Sequence, residues 1–204
     1  MSTSELLDLD GPADSPERRG DWGCTYTGRH YWPEDPHPCD LAITDIAHAL
    51  SNMCRFGGHC REFYSVAQHS VLVSHLCDPA DALWGLLHDA SEAYIVDVPR
   101  PLKRAPGMEG YRLYEEAAMR AVCEWAGLSY TMPRSVKRAD EILLATEARD
   151  LMPPASVARW TLLERPLPEH VVPASPATAR AMFLGRWAQL TTGKIPIASG
   201  GVHG

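Results

Sequence analysis

Proline sets the limits of regular structure in this chain. Its ring removes a backbone donor and locks φ, which excludes it from helix interiors and central strands. Pro33, Pro36 and Pro38 therefore forbid both over the second half of the aromatic stretch "WGCTYTGRHYWPEDPHPC", which starts at Trp22. Pro99 and Pro101 break the chain again, and residues 164–176 are once more rich in proline. Between these breaks lie windows of helical length. Their apolar residues recur at helical rather than alternating spacing.

Thr44 is placed to cap "DIAHALSNMCRF", with Ile46, Ala49, Leu50 and Met53 on one face, and Ser65 to cap "VAQHSVLVSHL". Asp78-Pro79 opens a helix at a position that tolerates proline, and this helix runs through "ADALWGLLHDASEAY". Residues 108–126 and 134–152 read as two longer amphipathic helices, and 177–190 as a last one. Thr25 to Arg29, with Gly28, can form a short hairpin. The expected fold is all-α: a helical bundle with an N-terminal hairpin or loop appendage.

A chain of 204 residues, 45% of them hydrophobic, is long enough to build one substantial core. The expected domain spans 22–192, with its core in 43–152, between flexible tails at 1–21 and 193–204. A net charge of −7 advertises no basic surface for a nucleic acid polymer or an anionic membrane. No apolar run approaches the roughly 18 residues of a membrane span. The six cysteines include no CxxC pair, and the chain opens without a basic and apolar leader. These features predict a soluble, reduced, cytoplasmic protein.

Within this helical frame a few polar residues are misplaced. His88 and Asp89 end the apolar run "ALWGLL"; His69 lies among the apolar positions of "YSVAQHSVLV"; Asp140 lies mid-helix, just before "EILL". Burying such groups is expensive unless they are partnered. Adjacent residues on a helix point about 100° apart, so His88 and Asp89 cannot stack, but they can converge on one ion near the helix surface. Two imidazoles and two carboxylates make a reasonable set for a divalent transition metal, whose charge also neutralises the two acids.

The ordered pattern His69, His88-Asp89, Asp140 resembles the H…HD…D signature of the HD-domain phosphohydrolase superfamily. "HDASEAYIVDVPRPLKR" and "KRADEILL" are similar to segments of the bacterial 5′-deoxynucleotidases and the phage-type dATP triphosphohydrolases, and the resemblance covers roughly residues 43–151. It implies an HD-type bundle with His69, His88, Asp89 and Asp140 as metal ligands. It implies that Glu92 and Asp97 handle the attacking water or the leaving group. It also implies that Arg55, Lys103 and Lys137 contact phosphate. Residues 90–139 contain no histidine, which favours one ion over the two of the oxygenase members.

The expected activity is metal-dependent cleavage of phosphate from a small (deoxy)nucleotide, either a 5′-monophosphate or a triphosphate. Co²⁺, Mn²⁺ or Zn²⁺ would serve, since a divalent ion lowers the pKa of bound water from 15.7 towards roughly 7. Two alternatives stand beside it: a nucleotide-binding or sensing protein without turnover, and a (p)ppGpp hydrolase. A homo-oligomer is expected. Plainer roles compete at several positions. Arg55 could complement a helix C-terminus, Asp97 could turn the chain before Pro99, and Lys103 and Lys137 could be solvated. Phe56, Tyr64, Trp84 and Trp32 could line a base pocket by stacking, core packing being the simpler role for Trp84. His48, His59 and His75 read as ordinary packing or surface residues.

Overall fold

A computed structural model of the chain describes residues 18–192; of the expected tails at 1–21 and 193–204, residues 1–17 and 193–204 lie outside the described residues. Arg18, counted in the N-terminal tail by sequence, is tied down by ion pairs to Asp35 (3.1 Å) and Asp40 (2.6 Å).

The described residues are mostly helical, with one small antiparallel hairpin. Strands β1 (Gly23–Cys24) and β2 (His30–Tyr31) pair Gly23 with Tyr31 and Cys24 with His30. The hairpin is fastened to helix α1 (Ile43–Asn52) by Asp45, whose carboxylate accepts from the Thr27 amide (2.7 Å) and from both the Thr25 and Thr27 hydroxyls. The predicted cap is therefore misplaced. Thr44 lies inside the helix, Ala42 is its N-cap, and the helix ends at Asn52 rather than running on to Phe56.

Ser65 does cap α2 (Val66–Leu76), its side chain accepting the Gln68 amide at 3.1 Å. α2 is the central element, packed against α1, α3 (Ala82–Leu87), α7 (Arg134–Leu151) and α9 (Pro176–Thr191). Eight of its residues, from Val66 to Ser74, are buried, as expected of a helix enclosed on every side. α3 can approach it closely because Gly85 has no side chain. A Cβ there would lie 2.9 Å from Cys77 Sγ and 3.1 Å from Ser74 Cα. Trp84 is a core residue as expected, 5% exposed, with its indole N–H on the Ser129 carbonyl.

The helix read from 80 to 94 is instead interrupted. A 3₁₀ turn (Pro79–Asp81) precedes α3, and residues 88–91 separate α3 from α4 (Glu92–Ile95). Through this break the amides of Ala90, Glu92 and Ala93 bond to the carbonyls of Leu87, Asp89 and Ala90, each three residues back. Such tightening eclipses positions i and i+3, so Glu92 falls in line with Asp89 rather than with His88. The short α5 (Arg100–Lys103) and the long α6 (Glu109–Ala126) follow, and α8 (Pro154–Val157) comes after α7.

The proline-rich segment 164–176 forms a strap across α2 and α7. Gln68 binds it twice, donating to the Val172 carbonyl and accepting the Ala174 amide, both at 2.8 Å. Thr146 accepts the Leu167 amide, and Asp150 accepts the Val171 amide. These bonds join the two helices that carry the most deeply buried polar groups.

Candidate metal centre

α2, the α3–α4 break and α7 each deliver part of one polar cluster. His69 comes from the middle of α2, His88 and Asp89 from the break, and Asp140 from the second turn of α7. His69 Nε2 lies 3.2 Å from His88 Nε2 and 3.1 Å from Asp140 Oδ1. Asp89 Oδ2 lies 3.2 Å from His88 Nε2 and 3.8 Å from His69 Nε2. His69, His88 and Asp140 each offer an atom within 4.8 Å of the other two, a grouping that does not include Asp89.

The other ring nitrogens are already engaged. His88 Nδ1 is 2.8 Å from the Gly85 carbonyl, which can only accept, so that nitrogen carries a proton and Nε2 is the ring atom that faces the cluster. His69 Nδ1 is 2.6 Å from Glu147 Oε1, a carboxylate that fixes the ring's orientation in the same way.

Glu147 was missed by sequence, although it lies on the face of α7 below Asp140, seven residues on; that spacing was the available signal. Fully buried, it collects His69, the Tyr64 hydroxyl at 2.9 Å and the Arg55 guanidinium at 3.2 Å. Burial alone would raise its carboxyl pKa, but Arg55, His69 and the Tyr64 hydroxyl reverse this and hold it below the usual range. Burial keeps Tyr64 protonated, with the Glu147 charge adding to the effect. Tyr64 is thus a supporting donor within the core rather than a base-stacking ring.

Arg55 is not a helix-terminal charge, since α1 ends three residues earlier. Its guanidinium bridges Glu147 and, at 3.5 Å, Asp89. Burial disfavours its charge, but the carboxylates of Glu147, Asp89 and Asp140 outweigh that and hold it firmly protonated. The same competition governs the cluster's other members. Burial and Arg55 both oppose a charge on His69, yet Glu147 and Asp140 raise it to about 9. Burial would raise Asp140, but His69 brings it down to about 2. Asp89 is likewise pulled down against its burial by His88, His69 and Arg55. The point where the four side chains meet therefore favours positive charge.

Glu92 is buried, and its Oε2 has no hydrogen-bond partner among the described residues. Burial, then the Asp89 and Asp97 carboxylates, push its pKa well above the ordinary value. Asp97 follows Val96, which holds φ 70° and ψ 148°, a strained conformation for a β-branched residue. Lys103 forms an ion pair with Glu115, and its half-buried ammonium also feels Glu92 and Asp97. Lys137 lies exposed on α7, one turn before Asp140, and no hydrogen bond or ion pair joins its side chain to the cluster among the described residues. Phe56 is half-buried, with its ring 5.3 Å from the Arg55 guanidinium carbon.

The remaining histidines of note lie apart: His48 stacks on Tyr26, His59 is exposed, and His75 lies on the far end of α2. All six cysteines are free. Two cavities lie elsewhere, one of about 380 Å³ between the hairpin, α1 and α4, and one of about 410 Å³ beneath the strap. No described helix is long and apolar enough to cross a membrane.

No protein-family model matches the chain. It is 43% identical over 171 residues to the uncharacterized protein YfdR of Escherichia coli (strain K12), covering 82% of this chain and 94% of that protein. It is also 36% identical over 137 residues to an uncharacterized protein of Rhodobacter capsulatus, covering 63% of this chain and 69% of the relative. With near end-to-end coverage of the first at that identity, the chain belongs to the family of YfdR.

Proposed function

We propose that this protein is an HD-domain phosphohydrolase that holds one divalent cation and cleaves phosphate from a small (deoxy)nucleotide, a 5′-monophosphate or a triphosphate. One observation carries the reading: His69, His88 and Asp140 each bring a ligand atom within 4.8 Å of the other two, with Asp89 Oδ2 3.2 Å from His88 Nε2, while both Nδ1 atoms face elsewhere. Imidazole nitrogens and carboxylate oxygens gathered this closely need a proton or a cation among them, and a divalent ion can take the place of the His69 proton. The mixed nitrogen and oxygen set fits Co²⁺, Mn²⁺ or Zn²⁺, and these four residues would hold it. When bound, such an ion supplies the acidity that activates water and the charge that offsets phosphoryl oxygens.

The chain's own residues supply binding and proton handling. Arg55, locked in place by Glu147, presents a permanent planar cation that can grip phosphate oxygens. Burial and the Asp89 and Asp97 carboxylates push Glu92 towards its protonated form, and its Oε2 has no partner among the described residues. That suits it to donate to the departing oxygen. Asp97 and Lys103 set the local field around Glu92, from opposite signs.

The cytoplasmic assignment is supported by the free thiols. A homo-oligomer is supported by the exposed apolar side chains of Val96, Leu102, Leu113 and Tyr114 around α5 and α6.

The test is phosphate release from a panel of nucleoside mono- and triphosphates, by protein stripped with EDTA and then resupplied with Co²⁺ or Mn²⁺. Turnover should vanish on stripping and return with the ion. Turnover indifferent to EDTA, or none across the panel, overturns the proposal; tight nucleotide binding without product would favour the sensing role.

A further inference from the structure

We propose that Trp160 and Phe56 form an aromatic subsite for the substrate's nucleobase at the mouth of the metal centre, with Trp160 as its specificity-determining residue. This rests on the phosphohydrolase reading and names the part of the substrate that reading leaves open.

The two rings come from segments far apart in sequence. Phe56 lies in the "RFGGH" turn and Trp160 just beyond α8, and their centroids are 5.9 Å apart at an interplanar angle of 38°. Arg61 holds the segments together. Its amide donates to the Leu151 carbonyl at 2.9 Å and its guanidinium to the Asp150 carbonyl at 2.6 Å. Both rings are partly open to solvent, with Trp160 37% exposed.

Backbone conformation gives an independent sign that the position of Phe56 matters. Phe56 and the two glycines after it all hold positive φ (55°, 61° and 82°), a left-handed turn that is unfavourable for any residue with a side chain. Strain of this kind persists where the surroundings enforce it and clusters at ligand sites. Here it places the Phe56 ring beside the Arg55 guanidinium, which in turn lies 3.5 Å from Asp89. The same turn faces Pro99, beside the strained Val96-Asp97 segment.

The order outward from the metal centre is thus carboxylate, guanidinium, then two aromatic faces. A nucleotide has matching chemistry along its length: an anionic phosphate, a sugar and a flat π-system. With phosphate at Arg55, the base one sugar away meets Phe56 and Trp160. Stacking reads the face of a ring and not its edge, so this subsite requires a base without choosing strongly among bases.

The experiment compares AMP with ribose 5-phosphate, which lacks the base, for the native protein, Trp160→Ala and Trp160→Phe. The ratio of kcat/KM for AMP over ribose 5-phosphate should fall about tenfold in Trp160→Ala, mainly through KM for AMP, a loss within the range that one stacked base supplies. Trp160→Phe should recover most of it. An unchanged ratio overturns the subsite while leaving the phosphohydrolase standing. If no phosphate ester is turned over, calorimetric AMP binding decides: about tenfold weaker binding in Trp160→Ala upholds the subsite, and binding that is equal or absent in both overturns it.

Discussion

The Nε2 atoms of His69 and His88 face one another across 3.2 Å, while the other nitrogen of each ring is held by an acceptor at 2.6 or 2.8 Å. Two imidazoles oriented in this way are committed to share something between them. The elements that aim them, the centre of α2 and the overwound link between α3 and α4, are among the most buried parts of the chain. The first three predictions below follow from that aim.

In the proposed centre Asp140 would contribute a ligand atom from a side chain still 25% exposed, so removing it should leave the fold intact. Asp140→Ala is expected to keep its helical circular dichroism. It should lose Co²⁺ or Mn²⁺ affinity by more than the roughly 10–100-fold that follows loss of a supporting residue. Isothermal titration of stripped protein measures this, and native-like affinity in the variant would remove Asp140 from the centre.

In the proposed centre Glu147 would hold His69 rather than touch the ion. Glu147→Gln should weaken metal binding by about 10–100-fold, since the amide cannot hold His69 as a carboxylate does. Glu147→Ala also strands the Arg55 guanidinium in the core, which should cost about 3–5 kcal/mol in urea denaturation. A variant unfolding at the native urea midpoint would show that Arg55 needs no buried partner.

Gly85 links packing to the centre. A methyl group there would meet Cys77 Sγ at 2.9 Å and the Ser74 backbone at 3.1 Å, so α2 and α3 must separate. Gly85→Ala should destabilise by about 1–3 kcal/mol, with a Tm loss of about 2–4 °C per kcal/mol. The Gly85 carbonyl receives the His88 Nδ1 proton, so metal affinity should fall with stability. A lower Tm with unaltered metal binding would separate the two effects.

Asp150 should shape the acid limb of stability. The Arg149 guanidinium first, then the Val171 amide and His170, outweigh the effect of burial and hold its carboxyl well below the usual range. A depressed folded pKa means its contribution is fully present above the unfolded value near 3.9 and disappears as pH falls through the folded one. Asp150→Asn should therefore be less stable at pH 7 and lose less on acidification from pH 5 to 2. Parallel unfolding curves for the two proteins across that range would refute this.

Much of the architecture was legible beforehand because helices are written locally. The Ser65 cap, the α6 and α7 windows and the hairpin at Thr25–Arg29 depend on residues within a few positions of one another. The errors occur where a distant partner intervenes. Thr44 looked like a cap, but the hairpin claims the neighbouring Asp45, and the helix starts at Ile43. Residues 80–94 kept an unbroken helical pattern, yet the chain tightens at 88–91, where His88 and Asp89 enter the cluster.

The sequence by itself determined an all-α fold, the order of its helices and four polar residues too costly to bury alone. Only the tertiary structure decided what surrounds them: Glu147 and Tyr64 behind His69, Arg55 as a bridge rather than a helix-end charge, and Trp160 beside Phe56. Periodicity tells which face of a helix is buried. Which side chains meet across that face depends on the crossing of α2 with α3 and α7, and on a strap bound by Gln68 more than 90 residues away in sequence.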